Sequence, residues 1–551
     1  MCRNFDRIGQ KTQILGIALV LLVLGMVSFL FWGSKKQVWF CDEIYTYESA
    51  NGFEQDWPAT YVDEWMTGTD VEAFFAADGD KLNLNDITVR LYNDHVPLYF
   101  WLFRIISFFF FRGSGSIWIG LSINLFFYLF LLETVYFLFL RLVNSPVLSG
   151  IVVVLSFIVN RLVIEQATTL RMYMMLLWAQ VLLLLAGMWV LENVWKNKLS
   201  PLSFICLYLI SVIGFLTHYD FWVFYAMTAT FCCMWLLIMA VRKQGKMFWR
   251  SMEFGCVLIW CIDFALALFS TIQIFPYSRW NLNRGKGQTA LHSLFDFSTL
   301  KLKQIVWGYE RLSGAVFGDS VPVAAGLLLM FGCIIGGGIL LYKNKEKKLL
   351  TELVLIVLIA QGYQLAVCFT MPDAWEERYL WGEITLMMFC MAWDAILLLR
   401  FGFSKIDNGR IRRLGICATS IILSACIFAG ELTIIDGGRG IAYLFQEEKD
   451  VEVLKAHEDI PWVVYGPTVG VYSYYDWLIP NKICFLTTED TIDDRSAIQE
   501  LQDENRFILY LYEDYFPHAL ELFEQELGRD LDGRYLFRST NLSVYLIEAL
   551  P

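Results

Sequence analysis

Asp42 and Glu43 stand side by side in Cys41-Asp42-Glu43-Ile44-Tyr45-Thr46-Tyr47-Glu48, directly after the first long apolar run. A carboxylate pair at a membrane surface is tolerable only where it faces water or a partner, and one such group can take the proton from an attacking hydroxyl. Further on, Asn93-Asp94-His95-Val96-Pro97-Leu98-Tyr99 sets an acid and a histidine at the mouth of another apolar segment. An anionic leaving group needs cations or donors at the same moment. Arg171 and Tyr173 in Leu170-Arg171-Met172-Tyr173, His218 in Thr217-His218-Tyr219-Asp220, Arg378 and Tyr379 in Arg378-Tyr379-Leu380, and Arg279 and Arg284 offer them. Plainer roles stay open beside these. Acids at a helix start favour the dipole, arginines and tyrosines at span ends anchor headgroups, and His218 with Asp220 reads equally as a helix-capping pair.

The elements that must position these residues are membrane spans. The 551 residues are 57% hydrophobic, 16% aromatic and only 18% charged, which marks a multi-spanning membrane protein. A net charge of −12 argues against nucleic acid as a partner. The thirteen cysteines mostly sit inside apolar runs and form no Cys-x-x-Cys, so they read as small buried hydrophobes. Apolar runs near the length of a span occur at about 14–33, 115–140, 146–160, 172–191, 201–217, 221–241, 254–275, 321–342, 350–370, 380–399 and 414–434, eleven in all. The first of these has no cleavage signature before Asp42 and is expected to stay as an anchor.

Alternate short connections are basic: Arg3/Arg7/Lys11, Arg141, Lys196/Lys198, Arg242 to Arg250, Lys343 to Lys348, and Arg400 to Arg413. The first long connection, 34–113, holds thirteen acids against six Lys/Arg. The positive-inside rule therefore places the amino terminus in the cytoplasm and Asp42-Glu43 outside. That count requires His95 to Phe111, interrupted by Arg104 and Ser107, to lie along the outer interface, and Asp42 to Ala50 reads as a second interfacial helix. The connections after 160, 217, 275 and 370 then open into the same compartment, where one chamber could form. After Thr433 the spans stop. The remaining tail carries 23 acids against nine Lys/Arg, and its short apolar runs alternate with helical patterns. The expectation is a membrane domain over 1–434 and a small extracytoplasmic α/β domain over 435–551, ending in a hairpin.

Taken together, Asp42-Glu43 after the first span and His95-Val96-Pro97-Leu98-Tyr99 opening the second interfacial helix resemble the glycosyltransferase C superfamily. The likeness is to its family-39-like members, protein O-mannosyltransferases and the aminoarabinose transferase of lipid A, which carry an Asp-Glu pair and then His-Pro-Pro-Leu. Val96 stands where the first proline would be. Leu170-Arg171-Met172-Tyr173 is similar to the family's Glu-Ala-Arg-Met-Tyr, but its acid is missing from Thr168-Thr169-Leu170, so no second carboxylate role carries over. Thr217-His218-Tyr219 and Arg378-Tyr379-Leu380 also look like family positions.

The resemblance implies a multi-pass enzyme of the cell membrane that transfers a sugar, with inversion, from a polyprenyl-phosphate carrier to a hydroxyl acceptor on a protein, lipid or cell-wall glycan. Asp42 would be the base and Glu43 its support, with His95, Arg171, Tyr173, His218, Arg378 and Tyr379 around the donor phosphate. No metal ligand set is assigned, and a divalent ion near Asp42, Asp94 and His95 is left open. A secondary transporter or lipid-linked sugar flippase is the rival. Its expected internal duplication and midplane charge pairs are not evident in the sequence.

Overall fold

A computed structural model describes the chain except residues 1, 37–40, 53–63, 77–81, 92–94, 281–287, 290–291, 294–297, 319–320, 372–376, 413, 423–447, 467–481, 488–495 and 540–541. Among the described residues, eight helices are long and apolar enough to cross a membrane, or nine if one bent pair counts as a span. The chain is thus a polytopic helical membrane protein, and the spans follow the hydrophobic runs closely. They are α1 (Cys2–Gly33), α6 (Trp118–Val143), α9 (Tyr173–Trp195), α11 (Tyr219–Gln244), α12 (Met252–Ile274), α14 (Val323–Lys343), α15 (Lys347–Thr370) and α16 (Trp381–Gly402).

Three of the eleven expected spans take another form. The run at 146–160 becomes α7 (Pro146–Val153) and a π-turn (Val154–Ile158), bent by 62° against α8 (Arg161–Thr168). The run at 201–217 is the shorter helix α10 (Pro201–Phe215). The last is helical over 414–422, and its remainder lies outside the described residues. Residues 299–317, expected only as part of a polar connection, form α13 (Thr299–Phe317), which packs on α14 and α15.

Both segments expected to lie along the interface are helical, as α2 (Cys41–Asn51) and α5 (Leu98–Phe110). The thirteen residues of α5 reach about 20 Å, short of a hydrocarbon core of about 30 Å. Between them lie α3 (Gly68–Phe75) and α4 (Leu84–Arg90). Arg90 caps the far end of α2 by donating to the carbonyls of Glu48 (3.1 Å) and Gly52 (2.8 Å). Asn51 donates to Phe75 O (3.0 Å) and Ser107 Oγ (3.1 Å), and the Tyr47 hydroxyl to Ser116 O (2.7 Å). The helix carrying the acid pair is therefore pinned along its length. At the other end of the bundle Arg141 pairs with Glu352 (2.6 Å) and Glu192 (3.5 Å), joining α6, α15 and α9 on the basic side.

The carboxy-terminal part contributes β2 (Trp462–Gly466), β3 (Lys482–Thr487), β4 (Arg506–Leu511), β5 (Leu531–Ser539) and β6 (Leu542–Ala549), the last two an antiparallel hairpin as expected. The sixth strand comes from elsewhere. β1 (Trp65–Thr67), in the first outer connection, pairs antiparallel with β3, giving the order β1-β3-β2-β4-β6-β5. Parallel pairing of β2 with β3 and β4 buries both faces. Residues of one parity (Trp462, Val464, Phe485, Ile508) join the core of the membrane body, and those of the other (Val463, Leu486, Leu509) pack under α17 (Phe516–Leu527). Trp65 secures the edge by donating from Nε1 to Ala497 O (2.7 Å) beneath the Lys482 ammonium (4.6 Å). The next turn is closed by Thr67, whose hydroxyl and amide donate to Asp70 (2.6 and 2.9 Å) and hold that carboxyl below its usual range.

Because Thr67 faces Lys482 in this register, a Thr67→Cys/Lys482→Cys pair should bridge in oxidised membranes. Thr67→Cys/Arg506→Cys, three strands apart, should stay reduced on the same gel.

Candidate active site

The acid pair starts α2, where its charges face the helix's positive end. The two carboxylates then part company. Glu43 is fully buried, and its Oε1 accepts from Lys36 Nζ (3.0 Å), itself only 2% exposed, and from the Leu170 amide (2.6 Å). Asp42 keeps a fifth of its side chain accessible and pairs with Arg378 Nη1, which is 14% exposed. One acid is thus an anchor with no open face, and the other is reachable by a substrate.

Arg171 stands in the kinked turn between α8 and α9. Asn160 caps α8 through Oδ1 (3.0 Å to the Leu162 amide), and Asn124 Nδ2 donates to the carbonyls of Ala167 (3.1 Å) and Thr169 (2.5 Å), fixing the turn from α6. Gly120 lets the turn come close: a Cβ there would sit 3.0 Å from Leu170 Cβ. Arg171 Nη1 donates to Asp42 O (2.9 Å) and Thr46 Oγ1 (3.1 Å), and its Nη2 lies 3.0 Å from His95 Nε2. A guanidinium only donates, so His95 Nε2 accepts and the ring faces Arg171 as neutral imidazole. Phe100 stacks beside that ring (5.7 Å).

His218 caps α11 with its own side chain, Nδ1 accepting from the Asp220 amide (3.1 Å) with Asp220 Oδ2 at 3.4 Å. The capping alternative is thus present in the structure, and Nδ1 carries no proton in that bond. Tyr173 links this corner to the rest. Its ring lies 5.6 Å from His218 and 5.5 Å, edge-on, from Trp381, and its hydroxyl is within electrostatic reach of Arg378, Arg171, Tyr379 and Asp42. Arg378 rides over the Tyr379 ring (5.2 Å), and Tyr379 O accepts from the Tyr363 hydroxyl (3.2 Å).

The structure therefore joins Asp42, Glu43, His95, Arg171 and Arg378 through direct contacts and sets Tyr173, Tyr379 and His218 around them. Arg284 and Asp94 lie outside the described residues, as does the side chain of Arg279. Among the described residues, no three His, Cys, Asp or Glu side chains gather as a metal site. Sequence reasoning missed Lys36. Its signal was the pair Lys35-Lys36 at the carboxyl end of α1, cations on the side that the charge rule reads as outside and expects to hold few. Among the described residues, three cations (Lys36, Arg171, Arg378) meet two carboxylates here, an excess of positive charge that suits an anion.

Lys36→Met should leave Glu43 uncompensated and cost about 3–5 kcal/mol. Lys36→Met/Glu43→Gln should regain most of it, read as the folded fraction surviving heating in detergent.

No family model matches the chain, and no curated protein matches it. Among solved structures, ArnT from Cupriavidus metallidurans in the apo state is similar over 98% of this chain and 98% of its own (TM-score 0.49, 9% identity). The same protein bound to undecaprenyl phosphate gives a TM-score of 0.49 at 9% identity, over 96% of this chain and 98% of its own. The archaeal oligosaccharyltransferase AglB from Archaeoglobus fulgidus, in complex with an inhibitory peptide and a dolichol-phosphate, is similar over 97% of this chain and 74% of its own (TM-score 0.47, 11% identity). At that distance these likenesses fix neither substrate nor chemistry for this chain.

Proposed function

We propose that the protein is a membrane glycosyltransferase that moves a sugar from a polyprenyl-phosphate carrier to a hydroxyl acceptor at the outer face of the cell membrane. The reading is carried by one observation: a partly accessible carboxylate, Asp42, is ion-paired to Arg378 while its own backbone carbonyl is held by Arg171. A base for the acceptor and cations for a departing phosphate thus stand side by side. Residues beyond 434 form, in this reading, the outer domain.

Asp42 takes the acceptor proton as the acceptor oxygen bonds to the anomeric carbon. The bond from that carbon to the phosphate oxygen breaks, and its electron pair leaves with the phosphate. The products are a glycoside of inverted configuration and the polyprenyl phosphate. Charge accumulates on the leaving oxygen, where preorganised guanidinium donors act most strongly. Arg378 is placed to serve both ends, since a fork of donors can hold Asp42 and a phosphate oxygen together. Arg171 is positioned by His95 and Thr46, and its Nε has no hydrogen-bond partner among the described residues. Glu43, locked by Lys36, keeps α2 in register with the Leu170-Arg171 turn.

Asp42→Asn should lower transfer of labelled sugar from polyprenyl phosphate by roughly 10²–10⁴-fold while the protein stays folded and inserted. Arg378→Ala should lower kcat by about 10²-fold or more. Transfer unchanged in Asp42→Asn would remove the base assignment, and carrier flipping without transfer by the wild type would favour a flippase.

A further inference from the structure

Behind the reacting pair lies a second polar group that the steps above do not use. Gln180 on α9, Gln364 on α15, and Glu383 and Trp381 on α16 are all buried at 5% exposure or less. Gln180 lies seven residues into α9 and Gln364 six from the end of α15, so both sit roughly 9–11 Å below the helix ends. The Tyr363 hydroxyl ties α15 to α9 through Gln180, and two glycines make room for the amides. A Cβ on Gly382 would stand 2.4 Å from Gln180 Oε1, and one on Gly308 would stand 2.7 Å from Gln364 Nε2. Glu383 Oε1 accepts from Gln361 Nε2 (3.1 Å), whose Oε1 accepts from the Tyr309 hydroxyl (2.6 Å). Tyr363 connects this group to the pocket above, donating to Tyr379 O next to Arg378.

Among the described residues, the donors Gln364 Nε2 and Trp381 Nε1 and the acceptors Gln364 Oε1 and Glu383 Oε2 have no hydrogen-bond partner, and Gln180 Nε2 has only the Tyr363 hydroxyl within reach. Buried groups of this kind are costly if left unmet. The unmet set mixes donors and acceptors and contains no cation. A phosphate offers only acceptors and would leave Gln364 Oε1 unmet. An ammonium offers only donors and would leave the three N–H groups unused. A hydroxyl does both.

We propose that this buried cluster receives the sugar of the lipid-linked donor, reading the hydroxyls of a neutral sugar through Gln364, Gln180, Glu383 and Trp381. The proposal rests on the glycosyl-transfer reading and assigns its specificity to α9, α15 and α16, with the phosphate held above by Arg171 and Arg378. Trp381 would supply a wall as well as its N–H, set by its edge-on contact with Tyr173.

The test is binding by the purified full-length chain of undecaprenyl phosphate, bare or bearing mannose, galactose or arabinose. The wild type should bind at least one glycosylated carrier roughly tenfold or more tighter than the bare one, as befits a site built to hydrogen-bond hydroxyls. Gln364→Leu and, separately, Gln180→Leu should erase that preference and leave bare-carrier binding within about twofold. Bare-carrier binding doubles as the check that each variant is folded. A wild type that binds bare and glycosylated carriers equally, or variants that keep bare-carrier binding and also keep the sugar preference, would overturn the sugar site and leave the phosphate site standing. A wild type that binds no carrier at all would overturn the transferase reading itself.

Discussion

The buried contact among Lys36, Glu43 and the Leu170 amide is the constraint from which the rest of the site follows. A carboxylate with no access to water is costly unless charge and hydrogen bonds compensate it on the spot. Here the compensation comes from two distant places, the carboxyl end of α1 and the turn between α8 and α9. Three pieces of chain are thereby held in one relation. Asp42, the neighbour of Glu43, stays partly accessible, and Arg171, the neighbour of Leu170, is aimed back at Asp42. Adjacency in sequence converts one buried ion pair into the geometry of an accessible one.

Much of this arrangement was legible beforehand because hydrophobic length and charge asymmetry are strong signals in a membrane. The spans, the two interfacial helices and the terminal hairpin all have periodic or compositional signatures. The acid pair and Arg378 stood out because charges at span ends are few. Other features left little trace. Lys36 was visible only as an exception to the charge rule. The glutamines of α9 and α15 sit singly in otherwise apolar helices, where no pattern in one chain can say that they converge. β1 is three residues long, too short for a period to register, and its pairing is set by an exposed sheet edge far along the chain.

The separate fates of Asp42 and Glu43 show how environment divides labour between like groups. Both begin α2, but one residue of helix turns them by about 100°. One turns into packed protein and the other to the rim where Arg378 waits. Which acid stays accessible is thus decided by helix phase and burial, properties that the dipeptide alone does not carry.

The edge strand at Trp65 has a consequence for biogenesis. It emerges with the first segment crossing the bilayer, whereas its partner at Cys484 is synthesised near the end of translation. Until the carboxy-terminal segment has been made, the connection bearing Asp42 has an unfilled sheet position. A chain stalled or clipped before that point would reach the membrane with its helices in place and that connection unmoored. Completion of the tail thereby acts as a built-in inspection step for the segment that carries Asp42.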